Sequence, residues 1–251
     1  MLNSLFSAFL MYSRIPVPQV EWKEENRRYS LCFFPVIGVV IGIIQILLWI
    51  LCSKYGIGRG LYAALAVAVP VMVTGGIHLD GYMDVHDAKG CMGDRERKLQ
   101  VMKDSRIGAF AAIYLILYFI LQFGMFYEVR TSEVIYVIAF AFVISRAMSG
   151  LAAVIFKGAK SDGTLQSFSK PAHRNITIAA EIIYIVLSMA VSVYINPAAG
   201  IMLSVGSVLT FIYYRIFSYK EFGGITGDLA GYFLQLCELV AMMCVVIWSR
   251  I

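Results

Sequence analysis

The stretch GGIHLDGYMDVHDAKG, residues 75–90, carries three aspartates directly after a long apolar run. Asp80, Asp84 and Asp87 are spaced so that a helix would hold their carboxylates within about 60° of arc on one face. Carboxylates this close repel one another, so a cation is expected to compensate them. Hard oxygen ligands favour Mg²⁺, which binds a few carboxylates together with substrate phosphates. The stretch therefore predicts a metal-binding, catalytic helix that holds Mg²⁺.

The alternative interpretation is a solvated polar loop between two hydrophobic segments. Six of the chain's 16 acidic residues fall between residues 77 and 106, which favours the metal site because unpaired charge at a membrane edge is expensive. His78 and His86 project away from the carboxylate face of a regular helix, so neither is expected to bind the metal directly. His78 remains a candidate substrate-binding residue.

On both sides of this stretch the chain is strongly apolar. Its 251 residues are 60% hydrophobic and only 15% charged, which indicates a membrane protein. We expect an all-α, polytopic helical bundle that forms a single domain over residues 1–251. Seven runs approach the roughly 17 to 25 residues that cross a bilayer, although the second and sixth are short. These runs cover residues 31–52, 61–76, 107–127, 134–156, 176–195, 198–214 and 229–248.

The distribution of basic residues predicts the topology. Residues 2–15 are apolar but short, and we expect a helix that lies in the membrane interface or packs back into the bundle. With the N-terminus in the cytoplasm, sixteen of the 21 Lys and Arg residues fall on the cytoplasmic side and four on the other. This bias predicts that residues 77–106, 157–163 and 223–228 lie on the cytoplasmic face of the membrane. It also explains the net charge of +5 without nucleic acid.

The five cysteines are odd in number and show no CxxC spacing. Neither a disulfide framework nor a zinc site is expected from them.

A second polar cluster, KDSRIG, precedes the third apolar run. Its candidate substrate-binding residues are Lys103, Asp104, Ser105 and Arg106. A helix beginning at residue 107 would present free N–H groups to phosphate, and Arg106 could add bidentate contacts. The alternative is a flank whose Lys and Arg anchor the helix to lipid headgroups.

Three further residues are candidates for substrate contact. Arg146 lies well inside the fourth run and should face a polar cavity, unless it forms a structural ion pair with Glu181 or Glu238. Thr226 and Asp228 lie in the glycine-rich segment FGGITGDLAG, where glycines allow a ligand close to the backbone. Either side chain could instead cap the last helix.

The run GGIHLDGYMDVHDAKG followed by VMKDSRIGAF resembles the cobalamin-5'-phosphate synthase family, the adenosylcobinamide-GDP ribazoletransferases. SRIPVP, FPVIGVVIG, Arg146, GTLQSF and TGD are similar to landmarks of that family in the same order. The resemblance covers nearly the whole chain. Ala88 departs from it, because the family pattern has glycine after the last aspartate.

This resemblance implies an inner-membrane, Mg²⁺-dependent transferase with its active-site loops in the cytoplasm. It would join adenosylcobinamide-GDP to α-ribazole or α-ribazole 5'-phosphate and release GMP. Lys103 and Arg106 would stabilise the leaving GMP, with the metal on Asp80, Asp84 and Asp87. The partners expected are these small molecules and the lipid bilayer, with a second copy of the chain or other corrinoid-assembly enzymes as further candidates.

Three other classes compete with this interpretation. A CDP-alcohol phosphotransferase would carry DGxxAR and GxxxDxxxD, and a UbiA-type prenyltransferase would carry two Asp-rich motifs. A transporter would show inverted repeats and broken helices at mid-membrane, whereas this chain concentrates its polar residues at one face.

Overall fold

A computed structural model describes residues 1–104, 106–159, 165 and 169–250. Ser105 and most of the GTLQSF segment lie outside the described residues. The described chain forms helices, a 3₁₀ turn at Leu31–Phe33 and one isolated bridge between Gly158 and Ile225, so the all-α prediction is confirmed. We number the helices α1 (Leu2–Tyr12), α2 (Glu24–Arg27), α3 (Phe34–Lys54), α4 (Arg59–Thr74), α5 (Ile77–Gly90), α6 (Arg95–Val101), α7 (Ala109–Glu128), α8 (Ser132–Ile155), α9 (Arg174–Ile195), α10 (Pro197–Phe222) and α11 (Gly227–Trp248).

Six helices in the described part of the chain are long and apolar enough to cross a membrane, namely α3 and α7 to α11. The pair α4 and α5 adds a seventh crossing if it is counted as one broken span, which agrees with the prediction of about seven. The sixth predicted run, 198–214, ended too early. Helix α10 continues to Phe222 because the first helix-stopping residue is Gly223, which adopts a left-handed conformation.

Helix α8 occupies the centre of the bundle and contacts α3, α9, α10 and α11. Its contact with α3 is close because Gly38 and Gly42 face the backbone of Phe142 and Ala139. Small residues four apart allow such approach between membrane helices. Helices α7 and α9 are peripheral and expose side chains such as Ile183 to the outside, as lipid-facing helices do.

The Gly75–Gly76 pair turns the chain sharply between α4 and α5. Both glycines have positive φ angles, 68° and 79°, which L-residues with a side chain rarely adopt. The two helices meet at an angle of 96°. As a result α4 is the apolar arm of the pair, and α5 is a polar arm that packs against α7 and α11. We call the part of the bundle around α5 the site end.

The short N-terminal helix α1 packs on the bundle at the site end. Ser4, Ser7 and Ala8 are buried. The rings of Tyr12 and Phe34 lie 4.3 Å apart at the start of α3. Helix α1 therefore packs against the bundle, and its location at the membrane interface stays a prediction.

Candidate functional site

Helix α5 and the beginning of α11 pack at backbone contact. A Cβ atom on Gly81 would lie 2.7 Å from the carbonyl oxygen of Asp228, and one on Gly231 would lie 3.0 Å from the carbonyl oxygen of His78. Glycine at both positions therefore allows the two helices to approach. This contact brings the Asp-rich stretch and the TGD segment, which are far apart in the sequence, to one place.

Asp84 is half-buried among other carboxylates. Its burial and the charges of Asp80, Asp228 and Asp87, in that order, raise the pKa of Asp84 to about 7. The three predicted aspartates thus lie close together on one helix, and Asp228 adds a fourth carboxylate. A cation bound here would remove the repulsion that raises this pKa.

Asp87 is engaged with the start of α7. Its Oδ2 atom accepts a hydrogen bond of 2.7 Å from the Gly108 N–H, and its Oδ1 atom accepts one of 2.8 Å from the Ala111 N–H. The expectation that the third predicted run would offer free N–H groups to phosphate was therefore wrong at these two positions. Each oxygen keeps a second lone pair, so the hydrogen bonds alone do not prevent Asp87 from binding a metal ion.

From the KDSRIG cluster, Asp104 and Arg106 line a cavity of about 400 Å³ that Asp84 and Asp87 also line. Arg106 donates two hydrogen bonds, of 3.0 and 2.7 Å, to the carboxylate of Asp104. These bonds lower the pKa of Asp104 to about 2. The Arg106 side chain is 87% exposed, so phosphate can reach it from outside. Lys103 is exposed and does not line this cavity, and Ser105 lies outside the described residues.

Thr226 and Asp228 have different positions. The Thr226 hydroxyl accepts a hydrogen bond of 3.1 Å from the Leu229 N–H and caps α11, which is the alternative role considered for it. Asp228 follows in the first turn and lines a cavity together with Asp80. The bridge between Gly158 and Ile225 holds this segment against the beginning of the 157–163 loop.

Arg146 is fully buried and does not line the cavities that contain the aspartates of the site end. It donates a hydrogen bond of 2.7 Å to the Glu238 carboxylate, which also accepts one of 3.0 Å from Ser145. The structure thus contains the ion pair that was the competing explanation, while the Nε and Nη2 atoms of Arg146 have no hydrogen-bond partner among the described residues. A substrate contact for Arg146 stays a prediction. The pair forms because a charge this deep in a membrane bundle needs a partner.

Two further cavities meet at Asp80. One, of about 220 Å³, lies between α1, α3, α5, α8 and α11 and is lined by His78 as well. Burial and the nearby Arg146 charge lower the pKa of His78 to about 3, so its imidazole is neutral. The other cavity, of about 510 Å³, is more open and lies between α1, α5 and α7.

Arg14 is a candidate that sequence reasoning missed as a site residue. It lines the 510 Å³ cavity together with Asp80, whereas Arg106 lines the 400 Å³ cavity. Its N–H donates a hydrogen bond of 2.7 Å to the Val73 carbonyl, and its side chain lies against Gly75. The available signal was its position in SRIPVP, directly after an apolar segment.

The donor set at the site end suits a hard divalent cation, because it consists of carboxylates and because burial and the charges of its neighbours raise the pKa of Asp84. In the arrangement described here, however, no three His, Cys, Asp or Glu side chains of the described residues converge closely enough to hold an ion. The side chains that fit best by position are Asp80, Asp84 and Asp228. They would have to draw together around a metal ion.

Comparison with known proteins supplies independent information. A model of the family described as cobalamin-5-phosphate synthase matches residues 4–246. The chain is 45% identical over 246 residues to an adenosylcobinamide-GDP ribazoletransferase of Lachnoclostridium phytofermentans, with 98% of this chain and 94% of the relative covered.

More distant relatives carry the same name. Identity is 32% over 239 residues to a protein of Clostridium perfringens, covering 93% of each chain. It is 33% over 256 residues to one of Chlorobaculum tepidum, covering 100% of this chain and 97% of the relative. No solved structure matches the chain.

Proposed function

Because the chain belongs to the cobalamin-5-phosphate synthase family, we propose that it transfers a corrinoid phosphate from adenosylcobinamide-GDP to α-ribazole or α-ribazole 5'-phosphate. The products are GMP and adenosylcobalamin or its 5'-phosphate. The observation that carries this proposal is the proximity of Asp80, Asp84 and Asp228, which between them line three cavities. Displacement at a diphosphate needs charge compensation at such a point.

The reaction exchanges one phosphate ester for another. A ribose hydroxyl of the acceptor forms a new O–P bond to the phosphate that is attached to the corrinoid. The bond between that phosphorus and the bridging oxygen breaks, the bridging oxygen leaves with GMP, and one proton is released. Because the acceptor can retain a 5'-phosphate, the attacking oxygen is a ribose hydroxyl other than the 5' one.

We assign the metal to Asp80, Asp84 and Asp228, with Asp87 at the edge of the group. Mg²⁺ bound there would neutralise the diphosphate and stabilise the negative charge that develops on the leaving group. A carboxylate of the same group accepts the proton of the attacking hydroxyl. This assignment is supported by the raised pKa of Asp84, which arises first from burial and then from the neighbouring negative charges; a cation would relieve the repulsion between these charges.

Arg106 is the proposed contact for the GMP phosphate. It lines the same cavity as Asp84. When the donor binds, the Arg106 guanidinium would release the Asp104 carboxylate and bind a phosphate of similar geometry. Lys103 adds a positive charge nearby without a contact to the cavity wall.

We also propose that the site end faces the cytoplasm of a cell inner membrane. The charge bias supports this orientation, since sixteen of the 21 Lys and Arg residues then lie on the cytoplasmic side. Nucleotide substrates would reach the site from that side.

The test is product formation by purified protein in detergent or liposomes. With adenosylcobinamide-GDP, α-ribazole and Mg²⁺, GMP and the joined corrinoid should appear in equal amounts. Asp84→Asn should lower turnover by about 10² to 10⁴ while the protein stays folded, because Asn keeps the shape and removes the charge. Glu96→Gln is the matched control, since Glu96 is an exposed carboxylate on α6. GMP release that does not need α-ribazole, or full activity of Asp84→Asn, would contradict the proposal.

A further inference from the structure

The 220 Å³ cavity beside Asp80 differs from the other two in its chemistry. Among the described residues its lining contains no Lys or Arg, whereas Arg14 lines the second cavity and Arg106 the third. Two carboxylates, Asp80 and Asp228, stand on its wall. The wall therefore offers a phosphate group no positively charged side chain among its described residues, which favours an uncharged group in this cavity.

Aromatic rings form part of the same wall. Tyr12 and Phe34 lie 4.3 Å apart, Phe34 and His78 5.7 Å, and Tyr12 and His78 6.3 Å, measured between ring centroids. Leu31 and Ala153 add apolar surface. Flat heterocycles bind well to such rings, because aromatic pairs gain energy beyond the burial of their area.

The wall also contains a polar atom that lacks a partner. His78 is only 6% exposed, and its Nε2 atom makes no hydrogen bond with any described residue. A buried polar atom without a partner is unfavourable, and a group bound in the cavity can supply the missing bond. An imidazole that carries its proton on Nε2 would donate one hydrogen bond to an acceptor nitrogen.

The size of the cavity restricts what can enter. With a volume of about 220 Å³ it is the smallest of the three cavities that the aspartates line, which favours one small ring system over a corrinoid or a nucleoside diphosphate. Guanine would present several donors and acceptors to a wall that is mostly apolar. The base of ribazole is a methylated benzimidazole, which is apolar except for one free ring nitrogen, and that nitrogen is an acceptor.

We propose that this cavity binds the base of the acceptor nucleoside, with His78 Nε2 donating to its free ring nitrogen and the ribose directed toward Asp80 and Asp228. This inference rests on the proposed function and assigns its two substrates to different cavities. The uncharged acceptor enters between α1, α3 and α8. The phosphates of the donor lie on the other side of the aspartates, toward Arg106.

Cavity-filling variants test the assignment. Ala153→Leu and Ala230→Leu each add bulk to the cavity wall from a different helix. Equilibrium dialysis of α-ribazole against the purified, folded variants, without donor, should give a Kd at least tenfold above wild type. In steady-state assays the KM for adenosylcobinamide-GDP should stay within twofold. Ala64→Leu, on the exposed face of α4, is the control and should change neither constant.

His78→Phe tests the hydrogen bond separately, because phenylalanine keeps the ring and removes the nitrogen. The Kd for α-ribazole should rise about fivefold, as expected for one hydrogen bond. If wild type binds α-ribazole and turns over but neither filled variant weakens that binding, the cavity assignment is wrong and the proposed function stands. If the filled variants weaken GMP binding instead, the cavity holds guanine. If wild type neither binds α-ribazole nor forms product, both proposals fail.

Discussion

Removing the Asp87 carboxylate should lower the thermal stability of the protein as well as its activity. Asp87→Ala deletes the two hydrogen bonds to the Gly108 and Ala111 N–H groups at the start of α7. Hydrogen bonds to a charged group contribute about 1.5 kcal/mol each at the low end, so the loss is about 3 kcal/mol. For a chain of this length, that corresponds to a Tm lower by about 6 to 12 °C.

The assay is thermal unfolding of purified protein in detergent, with Asp84→Ala as the matched control. Asp84 makes no hydrogen bond with a described residue and is repelled by its neighbours, so its removal should not lower Tm. Asp87→Asn should fall between Asp87→Ala and wild type, because its amide can accept only through one oxygen. A Tm of Asp87→Ala within 2 °C of wild type would refute the argument that this carboxylate holds the start of α7.

Three further predictions concern the donor contact, the metal and the topology. Arg106→Lys should raise the KM for adenosylcobinamide-GDP or lower kcat at least tenfold, roughly 1.4 kcal/mol, because only the guanidinium makes bidentate contacts; unchanged constants would leave Arg106 as a headgroup anchor. The pKa of Asp84 is raised to about 7, and a metal ion binds its deprotonated form. The apparent Mg²⁺ affinity in activity titrations should therefore rise about tenfold from pH 6 to pH 8 and then level off. A flat profile would exclude Asp84 as a ligand. In a cysteine-free background, a cysteine at Gly93 should label from the cytoplasmic side and one at Ser132 only from outside; labelling of both from one side would overturn the topology.

Sequence periodicity predicted the parts of the fold that depend on local pattern. Helix α5 forms over Ile77–Gly90 as expected, and most apolar runs became helices near their predicted bounds. Periodicity defines which face of a helix a side chain occupies. It therefore predicted correctly that Asp80, Asp84 and Asp87 lie close together on α5. The 96° bend before α5 was not predicted, although the two adjacent glycines that produce it are visible in the sequence.

Contacts between distant segments could not be predicted in the same way. Glu238 was one of two candidate partners for Arg146, and only the packing of α8 against α11 shows that these two side chains meet. From the sequence, Asp228 could cap a helix or lie beside the other aspartates. The close approach of α5 and α11 at Gly81 places it beside them. In the sequence Asp87 looked equivalent to Asp80 and Asp84. In the structure it is the aspartate that accepts hydrogen bonds from the start of α7.

The central claim is that a divalent cation on Asp80, Asp84 and Asp228 contacts the phosphate under attack. The direct measurement uses an adenosylcobinamide-GDP analogue in which sulfur replaces a non-bridging oxygen on the phosphate attached to the corrinoid. Mg²⁺ prefers oxygen, whereas Cd²⁺ accepts sulfur. One diastereomer should therefore react at least tenfold more slowly than the oxygen substrate with Mg²⁺ and recover with Cd²⁺, and Asp84→Asn should abolish that recovery. Equal rates for the sulfur and oxygen substrates with Mg²⁺, or a loss that Cd²⁺ does not restore, would contradict the claim.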